Sequence, residues 1–300
     1  MIFTTTRVRF PSGSDVLVGD LHQPQGQDAE SATTIVIVTG SWTTVKEQQA
    51  DFYARRLAAV GLATLVFDFR GFGQSEGNPR CWENPARKVE DIHAAVSFAA
   101  SQGYTRIGAL GICASAGYQS VNAADDHRVC SLALVAPWLH NRELVAPYYG
   151  GEAGVADRID MSRAAATRYA ETGEVSYIPA ISTTDESAAM FGPFDYYLDP
   201  QRGDIPEWDK QIAVMSWEPW LTFNPIDSAS KVTVPVHMVH SRDGAVPDGA
   251  QLFFDALPGP KHLDWLPGTQ LDFYDQPAQV DPAVAAVVEH FRRTLYEQNP

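Results

Sequence analysis

Cysteine is scarce in this chain of 300 residues: Cys81, Cys113 and Cys130 are an odd number, widely spaced, with no Cys-x-x-Cys pair. That argues against both a disulfide framework and a cysteine-built zinc site. Positive charge is also short, with 22 Lys and Arg against 37 Asp and Glu and a net charge of -15. Nucleic acid and anionic membrane surfaces are bound through clustered Lys and Arg, so neither is an expected partner. No stretch approaches about 18 uninterrupted apolar residues. The start, Met1-Ile2-Phe3-Thr4-Thr5-Thr6-Arg7, lacks the basic segment and apolar run of a secretory signal, and the expected location is the cytoplasm.

What is present is a chain with 45% hydrophobic residues, enough to bury one large domain with an insertion. Alternating runs at Phe3 to Phe10 and Val16 to His22 predict an antiparallel pair, and Thr34 to Thr39 predicts a buried strand. An amphipathic stretch from Lys46 to Val60 ends at Gly61 as a helix should, and a strand is expected at Ala63 to Asp68. Asn84-Pro85 opens a further helix, Arg106 to Ile112 predicts a strand, a short helix follows from Ala114, and Val129 to Ala136 predicts another strand. This alternation implies an α/β protein with a mostly parallel sheet and helices on both faces. The rhythm stops between 137 and 231, where aromatic and proline-rich sequence is read as an inserted cap, and it returns with a strand at Val234 to His240, a helix at Gly249 to Leu257, a strand at His262 to Leu266 and a last helix at Val280 to Leu295. The expected organisation is a core of residues 1–136 and 232–300 carrying a cap of residues 137–231.

Chemistry concentrates where the strand ending at Ile112 runs into Gly111-Ile112-Cys113-Ala114-Ser115-Ala116-Gly117 and then a helix. Small residues around a strand-to-helix turn let the backbone close tightly and lift the central side chain above the sheet, the geometry of a nucleophile elbow. Two registers compete. With Cys113 central, Gly111 and Ser115 fill the small positions and the turn follows the strand at once; with Ser115 central, the turn comes two residues later. The first is preferred. A thiol at a helix N-terminus is expected to feel the positive end of the dipole, which favours the thiolate.

Thr39-Gly40-Ser41-Trp42 follows the first buried strand, where a loop N–H from Ser41 or Trp42 would join the Ala114 N–H to stabilise charge on an attacked carbonyl oxygen. Ser241-Arg242-Asp243-Gly244 follows a later strand, and an acid there suits the chain order nucleophile, acid, base; the competing reading is an ordinary Asp-Gly turn. Among the cap aromatics, Tyr197 and Trp217 are candidates to line a substrate pocket together with Trp42.

The segments Val45-Lys46-Glu47-Gln48, Tyr53-Ala54-Arg55-Arg56-Leu57, Phe67-Asp68-Phe69-Arg70-Gly71-Phe72-Gly73-Gln74-Ser75-Glu76-Gly77, Glu90-Asp91-Ile92, Gly111 to Tyr118 and Leu271-Asp272-Phe273-Tyr274-Asp275 resemble a bacterial group of cysteine-elbow α/β hydrolases related to dienelactone hydrolase. The likeness runs through nearly the whole chain, and it implies the α/β-hydrolase fold and a triad of Cys113, Asp243 and a histidine. The chain departs from that group at one place: the tail is preceded by Gly268-Thr269-Gln270 where the group has Gly-x-His, and no histidine occurs between His262 and His290. Glutamine takes up no proton at neutral pH, so activation of water is expected to be lost.

Three functions are compatible with this. One is acyl transfer or cyclisation of an ester, thioester or lactone, as in a secondary-metabolite pathway, with a substrate that brings its own nucleophile. Another is a non-covalent cyclase, lyase or ligand-binding role. The third is an ordinary hydrolase carrying an inactivating substitution at Gln270. The expected ligand is a small carbonyl compound of apolar or aromatic character, no cofactor or metal is implied, and a homodimer is admissible.

Overall fold

The computed structural model describes residues 2–26 and 31–296. Phe3–Ser12 (β1) and Asp15–Pro24 (β2) form the antiparallel opening pair. Thr34–Thr39 (β3), Ala63–Phe67 (β4), Arg106–Ile112 (β5), Val129–Val135 (β6), Val236–His240 (β7) and Lys261–Trp265 (β8) complete one eight-stranded sheet in the order β1-β2-β4-β3-β5-β6-β7-β8. β2 meets β4 antiparallel, and every pair from β4 to β8 is parallel. The short apolar runs of β3, β4 and β7 are buried at every residue, as strands covered on both faces must be.

The covering helices are Gln49–Ala59 (α1), Pro85–Ser101 (α2), Ala114–Asp125 (α3), Pro247–Ala256 and Pro277–Leu295, with the helix Gly151–Thr172 (α4) in the insertion; the last two of the core are α5 and α6 in chain order. α1 packs with α6, and α2 with α3. Asn84 caps α2 by accepting from the Arg87 amide at 3.2 Å, and Ile92, Ala95, Val96 and Ala99 are buried at helical spacing along it.

One boundary differs from the sequence expectation. The helix expected from Lys46 begins at Gln49. Residues 46–48 turn instead, because Asp68 at the end of β4 accepts from the Lys46 amide at 2.9 Å and from its Nζ at 2.9 Å, and Glu47 holds the same ammonium. This fully buried lysine braces the loop after β3 as an ion pair rather than opening a helix.

The chain from 137 to 231 lies outside the large sheet. It contains α4, an antiparallel pairing of Tyr177–Pro179 with Gln211–Ala213, a parallel pairing of Ile181–Ser182 with Met190–Phe191, and a short helix Trp217–Leu221. β3 and β5 are neighbours although β4 comes between them in sequence, so the sheet reverses its winding there. Thr39 pairs with Gly111, which sets the loop beginning at Gly40 beside Cys113, and the carboxyl ends of strands at such a reversal are where α/β sheets place ligands.

Candidate functional site

Cys113 stands between β5 and α3 with φ 56° and ψ -119°, a left-handed conformation that costs a non-glycine residue about 1–3 kcal/mol. The turn is held by neighbours: the Cys113 amide donates to Val135 O at 3.1 Å, while its carbonyl accepts from Ala116 N and Trp138 N, each at 3.0 Å. Gly111 is required, since a Cβ there would lie 2.6 Å from Ser115 O and 2.7 Å from Ala116 Cα. Ser115 sits inside α3, wholly buried, and its hydroxyl has no hydrogen-bond partner among the described residues. The strained turn is therefore at Cys113, not at Ser115.

The thiol differs from the sequence expectation. Cys113 is buried, and burial pushes its pKa up; hydrogen bonding from Ser41, Tyr274, the Ala114 amide and Gln270 acts in the opposite direction without reversing it. Burial thus works against the thiolate expected from the helix end, because the charged form would be cut off from water. Around the thiol lies a cluster of hydroxyls: Ser41 Oγ is 2.9 Å from the Tyr197 hydroxyl and 3.3 Å from that of Tyr274. Burial raises the pKa of both tyrosines, so the cluster is neutral. Ser41 thus meets the thiol through its side chain, a contact not evident from a backbone-donor role. Tyr274, in the tail segment after Gln270, is a site residue the sequence reading passed over.

Gln270 is fixed by two hydrogen bonds, its Oε1 accepting from Ala245 N at 2.9 Å and its Nε2 donating to Ala136 O at 2.7 Å. Asp243 is exposed, with its amide donating to Ser241 Oγ at 3.0 Å and its carboxylate unpartnered among the described residues. It flanks the same space as Gln270 but does not orient it. None of the eight histidines lines that space. His140 is nearby, but its Nδ1 accepts from Trp138 Nε1 and its Nε2 donates to Trp220 O, each at 3.0 Å, and burial lowers its pKa to about 4. His240, at the end of β7, donates to Ala245 O at 3.0 Å and is likewise lowered to about 4 by burial. Both nitrogens of His140 are engaged, and His240, whose Nδ1 has no partner among the described residues, does not line the cavity and is held weakly basic by burial.

A cavity of about 720 Å³ joins Cys113, Ala114, Ser41 and Trp42 to Asp243 and Gln270, roofed by insertion residues that include Trp138, Tyr148, Tyr197 and Trp220. Trp217 does not line it. Its ring is buried behind Trp42, with centroids 5.8 Å apart, and is sandwiched by Tyr149 and the Arg158 guanidinium, so it supports the wall. Trp220 takes the lining role, stacked on Trp42 at 5.1 Å. No Lys or Arg is among the lining residues, whereas Asp195, Asp243 and Asp272 are.

Residues 29–172 match the family described as serine aminopeptidase, S33, which includes the elbow but ends before Asp243 and Gln270. An eight-stranded, mostly parallel sheet with a strained strand-to-helix elbow at its carboxyl edge completes the comparison. The chain is an α/β-hydrolase-fold enzyme. Where the family name specifies serine, this chain has Cys113 at the elbow. It is 28% identical to the uncharacterized protein PA2218 of Pseudomonas aeruginosa over 87% of this chain and 73% of that one. The crystal structure of PA2218 superposes with a TM-score of 0.82, covering 96% of this chain and 94% of the other. Thiohydrolase aneE of Aspergillus aculeatus is 25% identical over 77% of this chain and 76% of its own. Polyketide transferase claH of Penicillium crustosum is 24% identical over 83% of each.

Proposed function

We propose that this α/β hydrolase is an acyl-transfer enzyme that takes an apolar or aromatic acyl group from a thioester or activated ester onto Cys113 and passes it to an acceptor carrying its own nucleophile. The observation that carries this reading is Gln270, which stands where a base would and has both amide atoms committed to the backbone. A role in secondary metabolism fits the relatives named as a thiohydrolase and a polyketide transferase.

The proton balance needs no resident base. As Cys113 Sγ bonds the carbonyl carbon and the bond to the leaving sulfur or oxygen breaks, the thiol proton passes through the Ser41 and Tyr274 hydroxyls to the leaving atom. The amides of Ser41 or Trp42 and of Ala114 would hold the oxygen of the tetrahedral intermediate. An acceptor amine or hydroxyl then attacks the thioester, and its proton returns to Cys113 Sγ. Water in place of that acceptor is a weak nucleophile without a base, so release by hydrolysis is slow. With three carboxylates and no cation lining the cavity, the favoured substrates are neutral or cationic.

The neutral, buried thiol favours one other reading, a non-covalent cyclase in which the hydroxyl cluster alone polarises the substrate. Intact-mass spectrometry after incubation with neutral acyl thioesters and activated esters separates the two. An adduct on this chain, absent in Cys113→Ala and turned over in Gln270→His, is expected. No adduct in any variant, Gln270→His included, would remove the covalent mechanism and leave the non-covalent one.

A further inference from the structure

Histidines that the catalytic cavity leaves unused meet on the far side of the sheet. His237 on β7 and His262 on β8 are register partners in the parallel pair. Asp264 is two residues beyond His262 and shares its side of the strand, because side chains alternate along a strand. The ligand atoms of the three all lie within 4.8 Å of one another. The Asp264 carboxylate bridges them, 2.8 Å from His237 Nε2 and 2.9 Å from His262 Nε2. They open on a cavity of about 520 Å³ that α6 closes with His290, Glu289 and Arg293. A second observation points to a ligand: His237 is only 7% exposed, yet its Nδ1 has no partner among the described residues.

We propose that His237, His262 and Asp264 bind a divalent transition-metal ion, with Zn²⁺ the ion this donor set suits. Two imidazole nitrogens and one carboxylate oxygen are borderline ligands of the kind zinc prefers, and three protein ligands leave a position for water. Without the ion, each Nε2 proton is spent on Asp264. With it, the Nε2 lone pairs and the carboxylate turn to the metal, and each ring's proton moves to its own Nδ1, unpartnered in His237 and on the exposed ring of His262, without any net change in protonation. Of the charges nearby, Glu289 offsets Arg293, and Lys261 is turned away onto the carbonyls of Phe254, Asp255 and Leu257.

The sequence reading expected no metal, since the cysteines form no zinc motif and these ligands are 25 and 27 residues apart in the chain. Strand register alone brings them together. β8 is the edge of the sheet and pairs only with β7, so the ion would fasten the outermost strand at its amino end. The opposite ends of the same two strands lead to Asp243 and Gln270.

The test uses the tag-free full chain, treated with chelator, in a Cys113→Ala background that removes the cavity thiol. Co²⁺ is expected to bind one ion per chain with a visible d–d band and no thiolate charge-transfer band, to be displaced by Zn²⁺, and Zn²⁺ is expected to raise the melting temperature. His262→Ala and Asp264→Asn, which change exposed or half-buried positions and leave the core intact, should weaken binding at least about tenfold and abolish the melting shift. Equal Zn²⁺ affinity in the parent and in His262→Ala, or no binding by the parent at micromolar metal, would overturn the site.

Discussion

Gln270 Nε2 donates to the carbonyl oxygen of Ala136 at 2.7 Å, tying the loop after β8 to the end of β6 across the floor of the cavity. The amide is a strut where an imidazole would be a base. Exchanging one for the other should therefore change chemistry and stability in opposite directions. In Gln270→His, hydrolysis of an acyl thioester is expected to rise by about 10²- to 10⁴-fold, since the unpartnered carboxylate of Asp243 is available to orient the ring. The lost pair of backbone contacts should lower stability by about 1–2 kcal/mol. Steady-state thioester hydrolysis and urea denaturation read the two effects, and unchanged hydrolysis would mean that the ring does not reach the thiol.

Tyr274→Phe removes one hydroxyl from the cluster around Cys113 while keeping the packing of a buried ring. Acylation by a thioester is expected to slow by about five- to tenfold, the equivalent of one hydrogen bond, with little change in melting temperature. Stopped-flow release of the leaving thiol measures it. An unaltered rate would exclude Tyr274 from the proton path.

Gly111→Ala places a methyl group 2.6 Å from the Ser115 carbonyl oxygen, and its three nearest neighbours are all backbone atoms that cannot swing aside as a side chain would. A loss of about 3 kcal/mol or more is expected, along with loss of acylation, because relief of the clash must unwind the elbow. A folded, active Gly111→Ala protein would contradict the turn described above.

His140 and His240 contribute to the response to acid, alongside His290, which burial lowers further, to about 3. Burial holds His140 and His240 at about 4, below the ordinary 6.5, so the unfolded chain binds more protons than the folded one between those values. Stability should be full above pH 6.5 and should decline as pH falls towards 4, by roughly several degrees in melting temperature. His140→Gln, which can keep one of the two hydrogen bonds, should flatten the decline when scanning calorimetry is run across that range.

The fold was legible wherever the signal was local. The apolar runs of β3, β5 and β6, the Asn84-Pro85 cap and the small residues around Cys113 each determine their structure within a few positions. The start of α1 was not, because Lys46 is held by Asp68, a partner contributed by another strand. Gln270, expected from one residue type to stand at the base position, lines the cavity together with Cys113. The upward push on the Cys113 pKa could not be read in this way, since a helix dipole is visible in sequence while complete burial is a property of the assembled site. Trp217 and Trp220 are both buried aromatics of one short helix, and only the path of the irregular insertion decides that Trp220 faces the cavity and Trp217 the wall.

Gly108, in the middle of β5, has no side chain because Phe291 and Leu295 of α6 occupy the space: a Cβ there would come within 2.9 Å of the Phe291 ring. The strand that aims Cys113 thus rests on a helix made some 180 residues later in the chain. During synthesis the elbow segment emerges early, with nothing beneath it. The elbow gains this support, and Tyr274 reaches the thiol, only when the last stretch of the chain is available, so Cys113 is expected to be buried late in folding.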